Sequence, residues 1–266
     1  QVIDYYASYG EREWERLSRP EGQLEFAITQ DALQRYVPQG ARILDLGGGP
    51  GRWTVWLAER GYRVTLGDLS PELLEIAGRK IGEYAVAQQV EEVVCVDASD
   101  LSHWQDDTFD LVLCLGPFYH ITEPERRDTA AQEIHRVLKP GGLVFAAFMH
   151  VFGFLQRTLA YQDEWHHLHS QQFIDTLMDS GVFVNDVAGR FNSGYGMMPD
   201  KVAPFMQSHG FEKLELLSDS GFAAANADQL AELALQDAEA YERIMQIIIT
   251  TAGESCNLGS SVHMLY

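Results

Sequence analysis

Positive charge is scarce in this chain. Lys and Arg total 19 against 39 Asp and Glu, a formal net charge of −20 over 266 residues. Such a surface repels phosphate backbones and anionic bilayers, and no run of basic residues offers a local exception. Long apolar runs are missing as well: the longest are strand-sized, far short of the roughly 20 residues that span a bilayer. Cysteine is limited to Cys95, Cys114 and Cys256, an odd number with no CxxC spacing. The first two lie in apolar runs and read as buried thiols of a reducing compartment. The segment QVIDYYASYGEREWERL carries charge and aromatics but no apolar signal core. Together these deficits predict a cytoplasmic protein that engages neither nucleic acid nor membrane.

What remains is ordinary globular material, 46% hydrophobic and 22% charged, with no internal repeat. Residues 4–18 and 22–36 read as two helices, punctuated by Pro20 and Pro38. From residue 41 to 149 short apolar runs (ARILDL, YRVTLGDL, VEEVVCVD, FDLVLCLG, GGLVFAAF) alternate with helical segments. Runs apolar at nearly every position suit parallel strands covered on both faces, which predicts a doubly wound, mostly parallel α/β sheet. After residue 150 the alternation lapses into aromatics, His and Gly (WHHLH, FNSGYGMM). An irregular insertion of this length predicts a cap or lid. A helix near 200–208, a strand at FEKLELL, a long helix at 227–251 and a final strand at SVHMLY complete the reading. No linker divides the chain, so one domain is expected over 1–266. Its N-terminal helices (1–40) cover the site, 41–149 is the ligand-binding core, 150–198 the cap, and 199–266 the C-terminal part of the sheet.

The strongest motif is Asp45-Leu46-Gly47-Gly48-Gly49-Pro50-Gly51-Arg52, between a strand and a helix. Glycines there let the backbone approach a ligand, and the helix start offers unpaired N–H groups. A dinucleotide fingerprint, G-x-G-x-x-G/A, would place Arg52 where a small residue must pack. The pattern acid-x-G-x-G-x-G is met in full by Asp45, Gly47, Gly49 and Gly51. A carboxylate at the strand end suits an ammonium group and repels a pyrophosphate. Asp68, nineteen positions past Gly49, stands where an acid accepts from ribose hydroxyls, and Ser70-Pro71 forms a helix start behind it. Asp97 follows the third strand, within reach of an adenine amino group. The fourth strand runs into the aromatic loop Leu115-Gly116-Pro117-Phe118-Tyr119-His120. All four signals fall at the carboxyl edge, where open α/β sheets bind ligands.

In this order the segments ILDLGGGPGRW, VTLGDLSPELLEIA, VVCVDASDL, FDLVLCLGPFYHI and RVLKPGGLVFAAF resemble the class I S-adenosylmethionine-dependent methyltransferases of small-molecule type, over residues 41–149. The resemblance implies a seven-stranded Rossmann-like sheet, S-adenosyl-L-methionine as cofactor with S-adenosyl-L-homocysteine as product, and no metal. It places Asp45, Gly47, Gly48, Gly49 and Gly51 around the methionine portion. Asp68 and Leu69 go to the ribose, Asp97 and Ala98 to the adenine, and Leu115 to the methionine end. The family often folds a first helix over the cofactor, which brings in Tyr5 and Tyr9 on one helix face, with Arg16 and Arg19 as candidates for the cofactor carboxylate.

His120 follows the fourth strand, where the family's acceptor approaches, and is a candidate general base or orienting donor; a hydrogen-bonded structural His is the competing reading. His150, ending the fifth strand, is the second candidate. Phe118 and Tyr119 are expected in pocket walls or core, and Tyr195, between two glycines, in the acceptor site. His166, His167 and His169 have no neighbouring pattern that completes a metal site. The expected reaction moves a methyl group to a nitrogen or oxygen of a small, ring-bearing acceptor, by a monomer or homodimer. An NAD(P)-dependent oxidoreductase and a non-catalytic S-adenosylmethionine-binding protein are the alternatives.

Overall fold

The structure, a computed structural model, describes residues 10–16 and 19–266. Tyr5 and Tyr9, and the side chain of Arg16, lie outside the described residues. Seven strands form the main sheet in the order β3-β2-β1-β4-β5-β9-β8. β1 (Arg42–Leu46), β2 (Arg63–Asp68), β3 (Val90–Cys95), β4 (Phe109–Cys114) and β5 (Leu138–Met149) run parallel. β9 (His263–Leu265) enters antiparallel between β5 and β8 (Leu217–Ser218). The expected doubly wound, mostly parallel α/β sheet is the observed one.

The apolar run of β1 explains its central position: Ile43, Leu44 and Leu46 are all at or below 1% exposure, because helices cover both faces. On one face Ile43, Leu111 and Leu113 pack against α2 (Pro20–Tyr36), α3 (Arg52–Glu59), α10 (Ala227–Gln236) and α11 (Ala238–Thr250). On the other, Leu44, Val112 and Phe148 meet α6 (Pro124–Val137) and α9 (Pro199–Ser208). The short α1 (Glu11–Arg16) contributes the buried Trp14 to the first face. α4 (Pro71–Glu83) begins as its sequence predicts, with Pro71 in the first turn and the Ser70 hydroxyl accepting from the Leu73 N–H at 3.3 Å.

Two expectations are corrected. The single helix at 227–251 is two helices, broken at Asp237, whose backbone is extended (φ −149°, ψ 87°) and whose carboxylate caps α11 by accepting from the Ala240 N–H at 3.0 Å. The strand at FEKLELL shrinks to Leu217–Ser218; Leu214 stays 58% exposed, so the segment lacks the buried face a longer strand needs.

Residues 151–195 fold as α7 (Val151–Ala160), a 3-10 segment (Gln162–His169), α8 (Gln171–Ser180) and the hairpin of β6 (Val182–Val184) with β7 (Ser193–Tyr195). They share a small core of Val151, Phe154, Leu177 and Phe183, with Phe154 stacked on Phe183 at 4.6 Å. Below it Glu164, fully buried, is ion-paired with Arg157 at 2.6 Å and receives the Asn185 amide at 3.0 Å. These contacts join α7, the 3-10 segment and the hairpin through residues far apart in sequence.

Candidate functional site

A crevice of about 410 Å³ opens at the carboxyl edge of the parallel strands. It is lined by the β1 turn (Asp45 to Pro50), by Asp68 and Leu69 after β2, by Val96, Asp97 and Ala98 after β3, and by Leu115 to Pro117 after β4. Tyr119 and His120, in the one-turn helix α5 (Pro117–His120), complete one wall. The sequence-predicted residues Asp45, Gly47, Gly48, Gly49, Asp68, Leu69, Asp97, Ala98, Leu115, Tyr119 and His120 therefore meet in one place.

The glycine loop is dictated by its neighbours. A Cβ on Gly48 would lie 2.5 Å from both Asp45 Oδ2 and Leu66 Cδ1, so a side chain there collides with the Asp45 carboxylate. Gly51 caps α3 in the left-handed region (φ 83°, ψ 26°), and its Cβ would press Ala77 of α4 at 3.2 Å. Gly51 thus supplies the close helix packing, and it leaves position 52 open to a large side chain. The Arg52 guanidinium uses that room to sit over the Trp14 and Phe26 rings at 5.0 and 5.6 Å.

Asp45 is 2% exposed, with the Thr54 hydroxyl donating to its Oδ2 at 2.7 Å. Burial pushes its carboxyl up to about 7, against that hydrogen bond. Asp68 is also raised by burial, although Gly49 N–H and Ser70 N–H each donate to it at 2.8 Å. Two desolvated carboxyls beside a side-chain-free bend form a site that gains when a cation enters. They fit a sulfonium nucleoside with an ammonium group and oppose a pyrophosphate, which weighs against a nicotinamide dinucleotide. Asp97 is further engaged than its sequence position suggests: Arg126 reaches its Oδ2 at 2.6 Å and Ser99 donates to Oδ1 from both backbone and hydroxyl.

Several predicted residues go elsewhere. Phe118 is fully buried, stacked on Phe148 at 5.1 Å, and belongs to the core; complete burial of such a ring contributes about 1.5–3 kcal/mol to stability. Tyr195 lies under the Arg127 guanidinium at 3.4 Å and does not line the crevice. His150, 1% exposed, caps α7: its Nδ1 accepts from the Phe152 N–H at 2.9 Å, and burial lowers its pKa. It does not line the crevice, and its lone pair is already committed to the backbone. Gly51 stands behind the loop rather than in the lining, and Arg19 is exposed outside it. His166 and His167 acquire a partner invisible by sequence proximity, since Asp186 brings its carboxylate within 2.9 Å of His166 Nε2.

Sequence reasoning missed Glu13, Glu25, Trp53, Leu73 and Arg126 in the lining. Outside the lining, the His263 ring lies 5.3 Å from that of Tyr119, and its Nδ1 is 3.0 Å from Asp219 Oδ2. SVHMLY was legible as a strand, yet a lone His in it gives no signal of where the strand will dock.

Residues 43–142 match the family model described as a methyltransferase domain. Over this span the chain is similar to the class I S-adenosylmethionine-dependent methyltransferases. It is 30% identical over 142 residues to the tRNA 5-carboxymethoxyuridine methyltransferase of Escherichia coli K12, covering 52% of this chain and 53% of that protein. It is 32% identical over 145 residues to a ubiquinone biosynthesis O-methyltransferase of Xanthomonas axonopodis pv. citri, covering 54% and 58%. The methyltransferase match thus spans little more than half the length of these curated relatives. Among solved structures, an S-adenosylmethionine-dependent methyltransferase of Methanosarcina mazei superposes with TM-score 0.58 at 21% identity, over 70% of this chain and 86% of that one. The 1,6-didemethyltoxoflavin-N1-methyltransferase of Burkholderia thailandensis, with S-adenosylhomocysteine bound, gives 0.55 at 20%, over 81% and 78%. The Asp45–Asp68 crevice has a chemistry that fits S-adenosylmethionine, the cofactor of the proteins this segment resembles.

Proposed function

We propose that the protein transfers a methyl group from S-adenosylmethionine to a nitrogen or oxygen of a small, ring-bearing molecule. The observation that carries this reading is the buried Asp45 carboxylate at the mouth of the glycine bend. In that arrangement Asp45 faces the ammonium end of the cofactor, and Asp68 holds the ribose. Ala98 and the exposed Leu69 border the adenine ring, with Asp97 kept in place by Arg126. The cofactor supplies an electrophilic methyl on sulfur, and the chain's task is to align the acceptor and exclude water. Tyr119 and His120 offer aromatic walls, with Phe191 of the cap 5.2 Å behind His120. The lining holds six carboxylates (Glu13, Glu25, Asp45, Asp68, Asp97 and Glu123) and two guanidiniums (Arg52 and Arg126), which favours a neutral or cationic acceptor.

Titration calorimetry with S-adenosylhomocysteine and with NAD tests the site, and turnover of S-adenosylmethionine with a panel of aryl amines and phenols tests the reaction. Binding of S-adenosylhomocysteine with product formation is the expected outcome. Binding without turnover on the panel would favour a cofactor-binding protein. A second reading comes from the relative that acts on a tRNA uridine; the acidic rim and the net charge of −20 stand against an RNA acceptor.

A further inference from the structure

The cap brings together two imidazoles and a carboxylate that take no part in the crevice. His166 and His167 sit in the 3-10 segment, and Asp186 lies in the loop that joins β6 to β7. Asp186 Oδ1 is 2.9 Å from His166 Nε2 and 3.4 Å from His167 Nε2, and all three atoms lie within 4.8 Å of one another. The two rings stand side by side, with centroids 4.0 Å apart. His166 Nδ1 is 3.0 Å from the Asp163 carbonyl oxygen. A carbonyl only accepts, so Nδ1 carries a hydrogen, and Nε2 meets the carboxylate with a lone pair unless a cation stands between them. A bond from one ring nitrogen to a backbone carbonyl is the usual outer support of a metal-bound imidazole. His167 is held from the other side, its Nε2 2.9 Å from Asn185 Oδ1. The Asn185 amide is fixed in that orientation because its nitrogen donates to Glu164 Oε1 and to the Phe191 carbonyl, each at 3.0 Å. Arg190, the only basic residue of the β6–β7 loop, is taken up by Asp163 at 3.1 Å.

We propose that His166 Nε2, His167 Nε2 and Asp186 Oδ1 form a binding site on the cap for a divalent transition-metal ion of the zinc type. The rival occupants are protons, one on each ring. Two imidazoliums 4.0 Å apart repel, whereas a single divalent ion serves both lone pairs and the carboxylate at once. The spacing suits it. Ligand atoms about 2.0–2.1 Å from a tetrahedral zinc stand about 3.3–3.4 Å from one another, and the separations of 2.9 and 3.4 Å bracket that value closely. Two imidazole nitrogens and one oxygen select zinc or nickel over magnesium and calcium, which prefer all-oxygen shells. Asp186 is 76% exposed, so the ion enters from solvent and keeps water on its open side. Its effect is mechanical: it ties the 3-10 segment to the β6–β7 loop, next to the Arg157–Glu164–Asn185 knot. The same loop carries Phe191, whose ring lies 5.2 Å from that of His120 in the crevice wall. The site is separate from the crevice and does not depend on what the crevice binds.

The test titrates the chain, free of any histidine tag, with Zn2+ by calorimetry, with Mg2+ as the contrast. It is repeated on His166→Gln and Asp186→Asn, whose side chains are 52% and 76% exposed and stand outside the buried knot. The expected result is one Zn2+ per chain with a micromolar or tighter dissociation constant, and no binding of Mg2+. Each variant should lose at least the roughly 10- to 100-fold in affinity that removing an outer partner of a metal site costs. Zn2+ should also raise the melting temperature of the wild type and slow hydrogen exchange in residues 162–169 and 185–192, with neither change in the variants. Nitrogen-15 spectra of the wild type provide a readout that needs no variant. They should show Zn2+ shifting Nε2 of both His166 and His167, with His166 Nδ1 still protonated. Zn2+ affinity unaltered by both substitutions, equal affinity for Mg2+, or imidazole signals that Zn2+ leaves in place would overturn the assignment and reduce the cluster to a His–Asp ion pair.

Discussion

Asp45 holds its carboxyl near 7 because burial, helped by the nearby Asp68 charge, outweighs the hydrogen bonds from the Thr54 hydroxyl and backbone. Below that pH a cation must first displace the proton, so S-adenosylmethionine affinity should fall about tenfold per pH unit below 7 and level off above it. Calorimetry in buffers of different ionisation enthalpy should register proton release at pH 6. Asp45→Asn should lose about 10- to 100-fold in affinity, the value of one charged hydrogen-bonded contact. Stability should move the other way. The native carboxyl is raised, so its favourable contribution is complete below the unfolded value near 4 and is lost as pH rises through 7. Melting curves should accordingly show Asp45→Asn gaining more over wild type at pH 8 than at pH 5. This residue was legible in sequence, because a strand end, an acid and three spaced glycines form a local pattern. Asp219 and His263, 44 positions apart, share no local pattern, and only the order of the strands brings them together.

At the level of single elements, α7 depends on an imidazole where helices more often use Ser, Asp or Asn. Only the neutral ring can accept from the Phe152 N–H. Burial lowers the native pKa of His150, so the cap's contribution is present above the unfolded value near 6.5 and is lost as pH falls through the native one. His150→Asn should preserve the cap and remove this acid sensitivity. His150→Ala should cost about 1 kcal/mol, with turnover retained in both, as thermal melts and rate measurements would show. Caps also explain the misread 227–251 segment. The apolar period continues across Asp237, so the pattern alone runs through the break; the Asp as N-cap was the available signal. In the same way, the cap insertion was opaque because its order comes from Arg157, Glu164 and Asn185, a buried polar knot with no periodicity. Glu164→Ala strands the Arg157 charge and should cost about 3 kcal/mol, read as a loosening of α7 and the β6–β7 hairpin by hydrogen exchange.

For the molecule as a whole, charge is the most discriminating property. With a net charge of −20 and an acidic crevice rim, binding to bulk tRNA at physiological salt should be undetectable by filter retention. Cationic aryl amines should compete for the site more strongly than aryl carboxylates of the same shape. Tight tRNA binding with a steep salt dependence would instead favour an acceptor like that of the Escherichia coli relative. The fold itself was readable through residue 149 because parallel strands buried on both faces write continuous apolar runs. Beyond it the sheet is finished by strands of two and three residues, too short to announce themselves.

One of those short strands has a consequence for how the protein comes into being. β9 slots between β5 and β8, so a late-synthesised segment occupies an inner lane of the sheet. A nascent chain emerging as far as α12 (Ser255–Leu258) already owns the glycine bend with Asp45 and Asp68, but β5 and β8 still lack the strand that joins them. The crevice-bearing strands and the lane that completes the sheet are therefore acquired at different moments of biogenesis, the second only when the ribosome has delivered the stretch that closes the gap.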